Sequence, residues 1–233
     1  MYKKDYYIVE KNIDKIKRGE ATNFLDPNTC LKVCSKLKGY NYKIYYPYLD
    51  SDKVIIYTDK LPKIRILEII SYDKLTHREI MGSLFGLNID NEMFGDIIIS
   101  NNHYYIIIMD VIYNFIINDY NMVGSHYIKL KEVPLDTIKD YTRKYEEIEL
   151  IVSSLRIDTV ISRLIKTSRD QIRKKFSNDE IILNYEPCHK LEYNLNINDV
   201  FSIKKYGKYK FGGIIKKSKK DNYIIKCYKY IDK

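Results

Sequence analysis

The sequence predicts an α+β protein in which a near-neutral α/β portion is followed by a small, strongly basic unit of two short helices and several strands. Three observations carry that expectation. Apolar residues recur with helical period in some stretches of residues 1–150 and alternate with strand period in others. The excess positive charge is confined to the end of the chain. Residues 1–152 carry 21 Lys and Arg against 22 Asp and Glu, a net of −1, whereas residues 153–233 carry 19 against 9, a net of +10. Finally, 233 residues that are 45% hydrophobic and 30% charged, with 9 Gly and 5 Pro, suit one to two ordinary cores and not a disordered or fibrous chain.

In chain order, a helical stretch opens the sequence. Strands Tyr42 to Tyr48, Lys53 to Tyr57 and Ile64 to Ile70 follow, separated by Pro47, Asp50-Ser51-Asp52 and Pro62. Thr76-His77-Arg78-Glu79 has the form of a capping box, with Ile80, Leu84 and Leu87 at helical spacing behind it. Gly95-Asp96 reads as a turn into strand Ile97 to Ile99, and Asn101-Asn102 as a hairpin turn into Tyr104 to Met109. A helix through Tyr113 to Ile117 and a strand Tyr127 to Val133 complete a mixed unit. Arg143 to Glu149 reads as a charged helical linker, whose cluster Glu146, Glu147, Glu149 is better taken as solvated than as catalytic. These breaks divide the chain into 1–74, an N-terminal α/β subdomain; 75–150, a middle domain; and 151–233, the basic domain.

In the basic domain, Leu155 to Ile165 reads as a short helix broken at Lys166-Thr167. Ser168-x-x-Gln171 caps a second helix with Ile172 and Phe176 on its buried stripe. Arg156 and Arg163, seven apart, share a face of the first helix. Arg169 and Arg173, four apart, share a face of the second with Lys174 beside them. Such faces suit phosphate, because guanidinium binds its oxygens bidentately. Two amphipathic helices with solvated arginines would show the same pattern, and pattern alone does not choose. Strands Ile181 to Tyr185, Val200 to Lys204, Lys208 to Lys216 and Asn222 to Tyr228 follow, the last two joined by a turn at Lys219-Lys220-Asp221-Asn222. The run Lys204 to Phe211 interleaves cations with aromatics, as a surface for phosphates and an unpaired base would. Strand alternation explains it equally, and for Tyr209 and Phe211 it is the better explanation.

This region resembles an S4-type domain, the small αα-turn-β RNA-binding module. The resemblance lies in Ser154-Leu155-Arg156-Ile157-Asp158-x-Val160-Ile161, Ser168-Arg169, Ile181-Ile182-Leu183-Asn184 and Asn198-Asp199-Val200-Phe201-Ser202-Ile203. It implies RNA contact by Arg156, Arg169 and Arg173, with Asp158 as their structural partner. Arg163, Lys174, Lys204 and Lys208 join the candidate RNA-binding set on charge. The left-handed turn position before the first strand, glycine in that family, falls to Asn178. Further forward, Asn23-Phe24-Leu25-Asp26-Pro27, Leu75 to Leu87, and Phe94-Gly95-Asp96-Ile97-Ile98 resemble segments of the bacterial YlmH family. That resemblance implies an RRM-like middle domain before the S4 domain. It also implies association with the large ribosomal subunit through ribosomal RNA, with tRNA as a further contact, and a role in ribosome-associated quality control. Asn88, Asp90 and Asn91 stand where the family tends to have glycine and basic residues, which weakens RNA binding by the middle domain.

The chemistry classes are bounded as well. No G-x-G-x-x-G or Walker-type run provides a cofactor loop, so no cofactor and no catalytic residue is expected. Ser83, His77 and Asp96 are the residues from which a triad could be drawn, but His77 is placed to begin a helix. Cys30 and Cys34 are four apart without a second ligand pair, so no metal is expected either. An S4-linked RNA-modifying enzyme, and a protein-interaction factor related to cell division and anchored to RNA, remain the alternatives. In the latter, the N-terminal and middle domains would hold a protein partner. Met1 to Asn12 lacks the apolar core of a secretory signal. Ile106 to Ile117 is interrupted by Asp110 and Asn114, short of the ~20 residues a bilayer span needs. A cytoplasmic location with no membrane partner is therefore expected.

Overall fold

The computed structural model describes residues 3–218 and 221–231, leaving Lys219 and Lys220 of the expected last turn outside the described residues. The chain forms two compact units, one ending at Thr142 and one running from Arg143 to Ile231. Among the described residues no helix is long and apolar enough to cross a membrane.

The first unit opens with α1 (Lys3–Lys17) and α2 (Pro27–Lys36). Val9, Ile13 and Ile16 recur at helical spacing and pack against Cys30, Val33 and Leu37. Asp26 starts α2 by accepting from the backbone N–H groups of Asn28 and Thr29 at 3.0 and 3.1 Å, with Pro27 preset for the first turn. The short pair β1 (Lys43–Tyr45) and β2 (Ile55–Tyr57) closes this part.

A four-stranded antiparallel sheet follows, built from β3 (Ile64–Ile70), β4 (Phe94–Ser100), β5 (His103–Met109) and β8 (Lys129–Val133) in the order β4-β5-β3-β8. Helices α3 (His77–Gly86) and α4 (Tyr113–Asp119) connect its strands, with the two-residue pair β6 (Met122–Val123) and β7 (His126–Tyr127) just before β8. This β-α-β-β-α-β order is the split βαβ arrangement. The Thr76 capping box is complete: Thr76 Oγ1 accepts from the Glu79 N–H, and Glu79 accepts from the Thr76 N–H at 2.8 Å. Asn101 and Asn102 both adopt left-handed φ values, 50° and 65°, as a tight hairpin requires.

Gly95-Asp96, expected as a turn, lies inside β4 instead, at a break in register against β5. Two constraints hold it there. A Cβ on Gly95 would lie 3.1 Å from both Ile107 Cβ and Phe24 Cε1, so any larger residue requires these neighbours to give way. Asp96 accepts from the Tyr48 hydroxyl at 2.8 Å, the Asp52 N–H at 2.8 Å and Ser51 Oγ at 3.2 Å, which ties the loop before β2 to the sheet. Lys53 adds a second tie through the Asn91 and Phe94 carbonyls. One face of the sheet packs on α3 and α4 through Leu67, Ile80, Leu84, Ile106 and Ile116. The other is covered by Phe24, Tyr48, Ile55 and Ile138, the last from α5 (Asp136–Lys139).

The second unit begins with β9 (Tyr145–Val152). The helical linker expected from Arg143 to Glu149 is thus a strand. Its dense charge masked a period of two, in which Ile148, Leu150 and Val152 face the core while Glu147 and Glu149 face out. It pairs along its length with β14 (Tyr223–Tyr230) and is the edge of a six-stranded antiparallel sheet. The intervening elements are α6 (Ile157–Leu164), α7 (Arg169–Ser177), β10 (Ile181–Leu183), β11 (Glu186–Pro187), β12 (Val200–Ile203) and β13 (Gly207–Lys217). Both helices pack on one face of this sheet: Val160, Ile161, Ile172 and Phe176 meet Phe201, Tyr209, Phe211 and Ile225. Asn184 and Tyr185, expected to continue a strand, form the turn into β11 at φ 48° and 70°. The left-handed residue after α7 is Asp179 (φ 53°), not Asn178 (φ −98°), which instead ends the helix.

Substituting Gly95→Val should destabilise the protein by about 1–3 kcal/mol, since the added methyls overpack against Phe24 and Ile107. Urea denaturation against the unsubstituted protein measures this, and an unchanged midpoint would show that the contact relaxes freely.

Candidate nucleic-acid interface

The eight residues singled out by charge and motif all lie in the second unit, which holds 20 Lys and Arg against 11 Asp and Glu, a net of +9. They are divided between two cavities and positions outside both. Arg156, expected on a helix face with Arg163, precedes α6 in its cap position, with extended backbone (φ −58°, ψ 136°) bridged to Asn194. From there its guanidinium meets Asp158 bidentately, Nε to Oδ1 at 3.1 Å and Nη2 to Oδ2 at 2.8 Å, while Nη1 reaches Glu192 at 3.2 Å. Asp158 is buried and also accepts from the Thr159 N–H at 2.7 Å and its hydroxyl at 3.3 Å. Burial pushes its carboxyl up, but the Arg156 and Thr159 hydrogen bonds outweigh that and hold it below the usual carboxylate range. Arg156 is thus largely neutralised by its own chain.

Arg156, Asp158 and Arg173 line a cavity of about 510 Å³ together with Lys190, Glu192 and Tyr193. The Arg173 guanidinium lies 3.6 Å from Asp170 and is 70% exposed. This pocket mixes both signs of charge.

A larger groove, about 770 Å³, opens between α6, the turn into α7 and the edge strand β9. Arg163, Lys166 and Arg169 converge on it, and none of the three pairs with a carboxylate among the described residues. The hydroxyl residues Ser153, Thr159, Ser162 and Thr167, with Asn222, complete its polar lining, and Glu149 is the acid there. The turn geometry explains the convergence. Lys166 takes a left-handed φ of 52°, and Ser162 Oγ donates to the Thr167 carbonyl at 2.6 Å, folding α7 back beside α6. Ser168 then caps α7 by accepting from the Gln171 N–H at 3.4 Å. The return bond of a full capping box is replaced, because the Gln171 side chain takes the Thr167 hydroxyl. Sequence reasoning missed Lys166, Lys190 and Asn222. Lys166 had a signal, since the break between two basic helices is where their ends meet.

The remaining lysines are elsewhere. Lys174 is exposed on α7 outside both cavities, and Lys204 is exposed just beyond β12. Lys208 is half-buried between two rings, 4.8 Å from the centroid of Tyr185 and 4.6 Å from that of Tyr230. Tyr209 and Phe211 are buried, as strand alternation requires.

The first unit gives a different picture. Ser83 Oγ donates to the Ile80 carbonyl and pairs with the Tyr120 hydroxyl at 2.9 Å, while Asp96 serves the loop before β2, so the notional triad is divided between two structural roles. Cys30 and Cys34 face each other on α2 with sulfurs 3.9 Å apart, and burial together with Cys34 pushes the Cys30 thiol up to about 12. Among the described residues no group of three or more His, Cys, Asp or Glu is arranged to hold a metal ion.

Residues 62–137, which include the whole four-stranded sheet, match the family model described as "Putative RNA-binding domain in YlmH". The chain is 25% identical over 149 residues to "Ribosome-associated protein quality control protein P2" of Bacillus subtilis (strain 168), covering 64% of this chain and 58% of that protein. Its fold resembles that of "Cell division protein ylmH from Streptococcus pneumoniae", with a TM-score of 0.51 at 18% identity, over 60% of this chain and 97% of that one. Over residues 62–137 the chain is thus similar to the YlmH family. That match falls wholly within the first unit, whereas the convergent cations lie in the second.

Asp158→Asn should cost about 1–3 kcal/mol at pH 7, because it removes the buried, bidentate partner of the Arg156 guanidinium and leaves it only the exposed Glu192. The carboxyl titrates lower folded than unfolded, so its contribution is complete above the unfolded value of about 3.9 and is lost as pH falls through the folded one. The stability gap between the two proteins, measured by urea denaturation, should therefore narrow on acidification below about pH 4. A constant gap would assign the loss to packing.

Proposed function

We propose that this protein is a member of the YlmH family and a non-catalytic RNA-binding factor that associates with the large ribosomal subunit through ribosomal RNA, with tRNA as a further contact, in quality control of stalled translation. The observation that carries this is the groove at the α6–α7 turn, where Arg163, Lys166 and Arg169 converge without carboxylate partners among the described residues. Unpaired arginines beside serine and threonine hydroxyls suit phosphate oxygens, and a unit with a net charge of +9 draws a polyanion to them. The order α6, α7, left-handed turn, β10 supports an S4-type assignment for Arg143–Ile231. The B. subtilis relative, ribosome-associated by name, supports the ribosomal setting.

Phosphate contact is assigned to Arg163, Lys166 and Arg169, with Arg173 and Lys174 at the periphery. Arg156 and Asp158 organise the entry to α6. The four-stranded sheet of the first unit is a poorer candidate, because Phe24, Tyr48, Ile55 and Ile138 already cover the face that its helices leave. Base stacking on a sheet needs such a face open.

Binding of an RNA hairpin by the full-length protein, measured against salt, tests the assignment. Replacing Arg163 and Arg169 together by Gln should flatten the dependence of log K on log salt by about two units, at ~0.9 for each phosphate no longer neutralised. Arg156→Gln should leave that slope nearly unchanged. An unaltered slope in the double variant would exclude these arginines as phosphate ligands.

A further inference from the structure

Helices α6 and α7 cover one face of the C-terminal sheet; the opposite face has a different character. There, Lys210 lies across from Tyr228, Tyr228 across from Glu147, and Tyr230 across from Tyr145. Tyr145, Tyr228 and Tyr230 are partly exposed, as is Tyr185 in the β10–β11 turn. The rings form a contiguous set: Tyr145 meets Tyr228 at 6.0 Å and Tyr230 at 5.0 Å, both edge to face. Lys208 donates to the Tyr185 hydroxyl at 3.3 Å while its ammonium sits against the Tyr185 and Tyr230 rings.

Outward tyrosines are common in strands, and cross-strand rings stabilise a sheet. Two features exceed that explanation. The Tyr228 ring packs against Gly212, where a Cβ would come within 2.6 Å of Tyr228 Cε2, so the ring occupies the space a side chain there would take. The Lys208 ammonium is committed to fixing rings. The acids on this face, Glu147 and Glu149, stand on edge strand β9, and Lys226 pairs with Glu147 at 2.9 Å. That leaves the β13 side of the rings cationic through Lys208 and Lys210.

We propose that this face is a stacking platform for unpaired nucleotides of single-stranded RNA. The Tyr228 and Tyr230 rings take the bases, and Lys210 approaches the phosphates. Lys208 is a positioning residue that holds Tyr230 and Tyr185. Base–aromatic stacking tolerates any sequence, because every base presents a π-face, and rings already held in place lose little freedom on binding. The inference rests on the RNA-binding reading of this unit and adds a second mode to it, the groove taking phosphates and the sheet taking bases.

The test titrates full-length protein with oligouridylate and with blunt duplex RNA, following fluorescence anisotropy, with a thermal melt of each variant. Tyr228→Leu with Tyr230→Leu should lower single-strand affinity roughly tenfold per ring and leave duplex affinity within about twofold, as loss of stacking alone predicts. The salt slope should stay unchanged, since the phosphates keep their cations. Tyr228→Phe with Tyr230→Phe should keep single-strand affinity, and Lys208→Met should lower it without touching a base. A folded leucine variant that binds oligouridylate like the parent overturns the platform. Photocrosslinking of the unsubstituted protein to a 4-thiouridine oligonucleotide gives an independent readout: adducts on Tyr228 or Tyr230 support the proposal, and adducts confined to other peptides overturn it. Failure to bind either RNA would instead overturn the RNA-binding reading itself.

Discussion

The buried carboxylate of Asp158, gripped by Arg156 in the first turn of α6, governs how charge is distributed over the C-terminal unit. A carboxylate at a helix N-terminus is favoured by the backbone dipole, and its own Thr159 N–H completes its hydrogen bonding. Once Arg156 is tied down, α6 starts at a defined residue and its far end is fixed just short of Lys166. The turn there brings Arg163, Lys166 and Arg169 together. Positive charge is therefore removed from one end of α6 and concentrated at the other. Net charge brings a polyanion near, and cations that no carboxylate already holds are the ones left to displace its counterions at the phosphates.

The two sheets use the same alternation of side chains to opposite ends. In the first unit both faces are apolar and both are covered, one by α3 and α4, the other by residues from the preceding segment and α5. In the second unit one face is apolar and covered by helices, while the other carries tyrosines, lysines and an acidic edge. A sheet packed on both faces is a scaffold. A sheet packed on one face keeps a surface on which rings can be displayed, and Gly212 shapes that surface for Tyr228. This contrast favours base recognition in the C-terminal unit even though the family match lies in the other.

Much of this was legible in the sequence where the signal is local. The Thr76 capping box, the Asn101-Asn102 hairpin, the buried Ile172–Phe176 pair and the burial of Tyr209 and Phe211 each depend on residues a few positions apart. What was not legible depended on distant partners. Strand β9 has helix-like charge density, and its true period shows only against β14, at the far end of the unit. Gly95-Asp96 has turn composition, but Phe24 and the loop at Tyr48 to Asp52 draw it into a strand. Arg156 and Arg163 share helical spacing, yet Arg156 lies outside the helix because its backbone bridges to Asn194. Lys208, chosen for its charge, is held by Tyr185 and Tyr230, and neither is its neighbour in sequence.

That last case separates two properties which charge counting merges. A lysine between two rings gains from their π-faces, and its ordering cost is met in the folded protein before any ligand arrives. It contributes little to counterion release, because its charge is already partly satisfied, but it stiffens the rings beside it. Arg163 and Arg169 are the reverse: they are long, exposed and unpaired among the described residues, and under the proposed function they would lose freedom on binding and gain a phosphate in exchange. A unit built this way couples a salt-sensitive attraction that ignores sequence to a salt-insensitive one that requires unpaired bases. On the proposed roles of groove and platform, it would therefore favour RNA that presents a phosphate backbone and an open loop together over a uniform duplex.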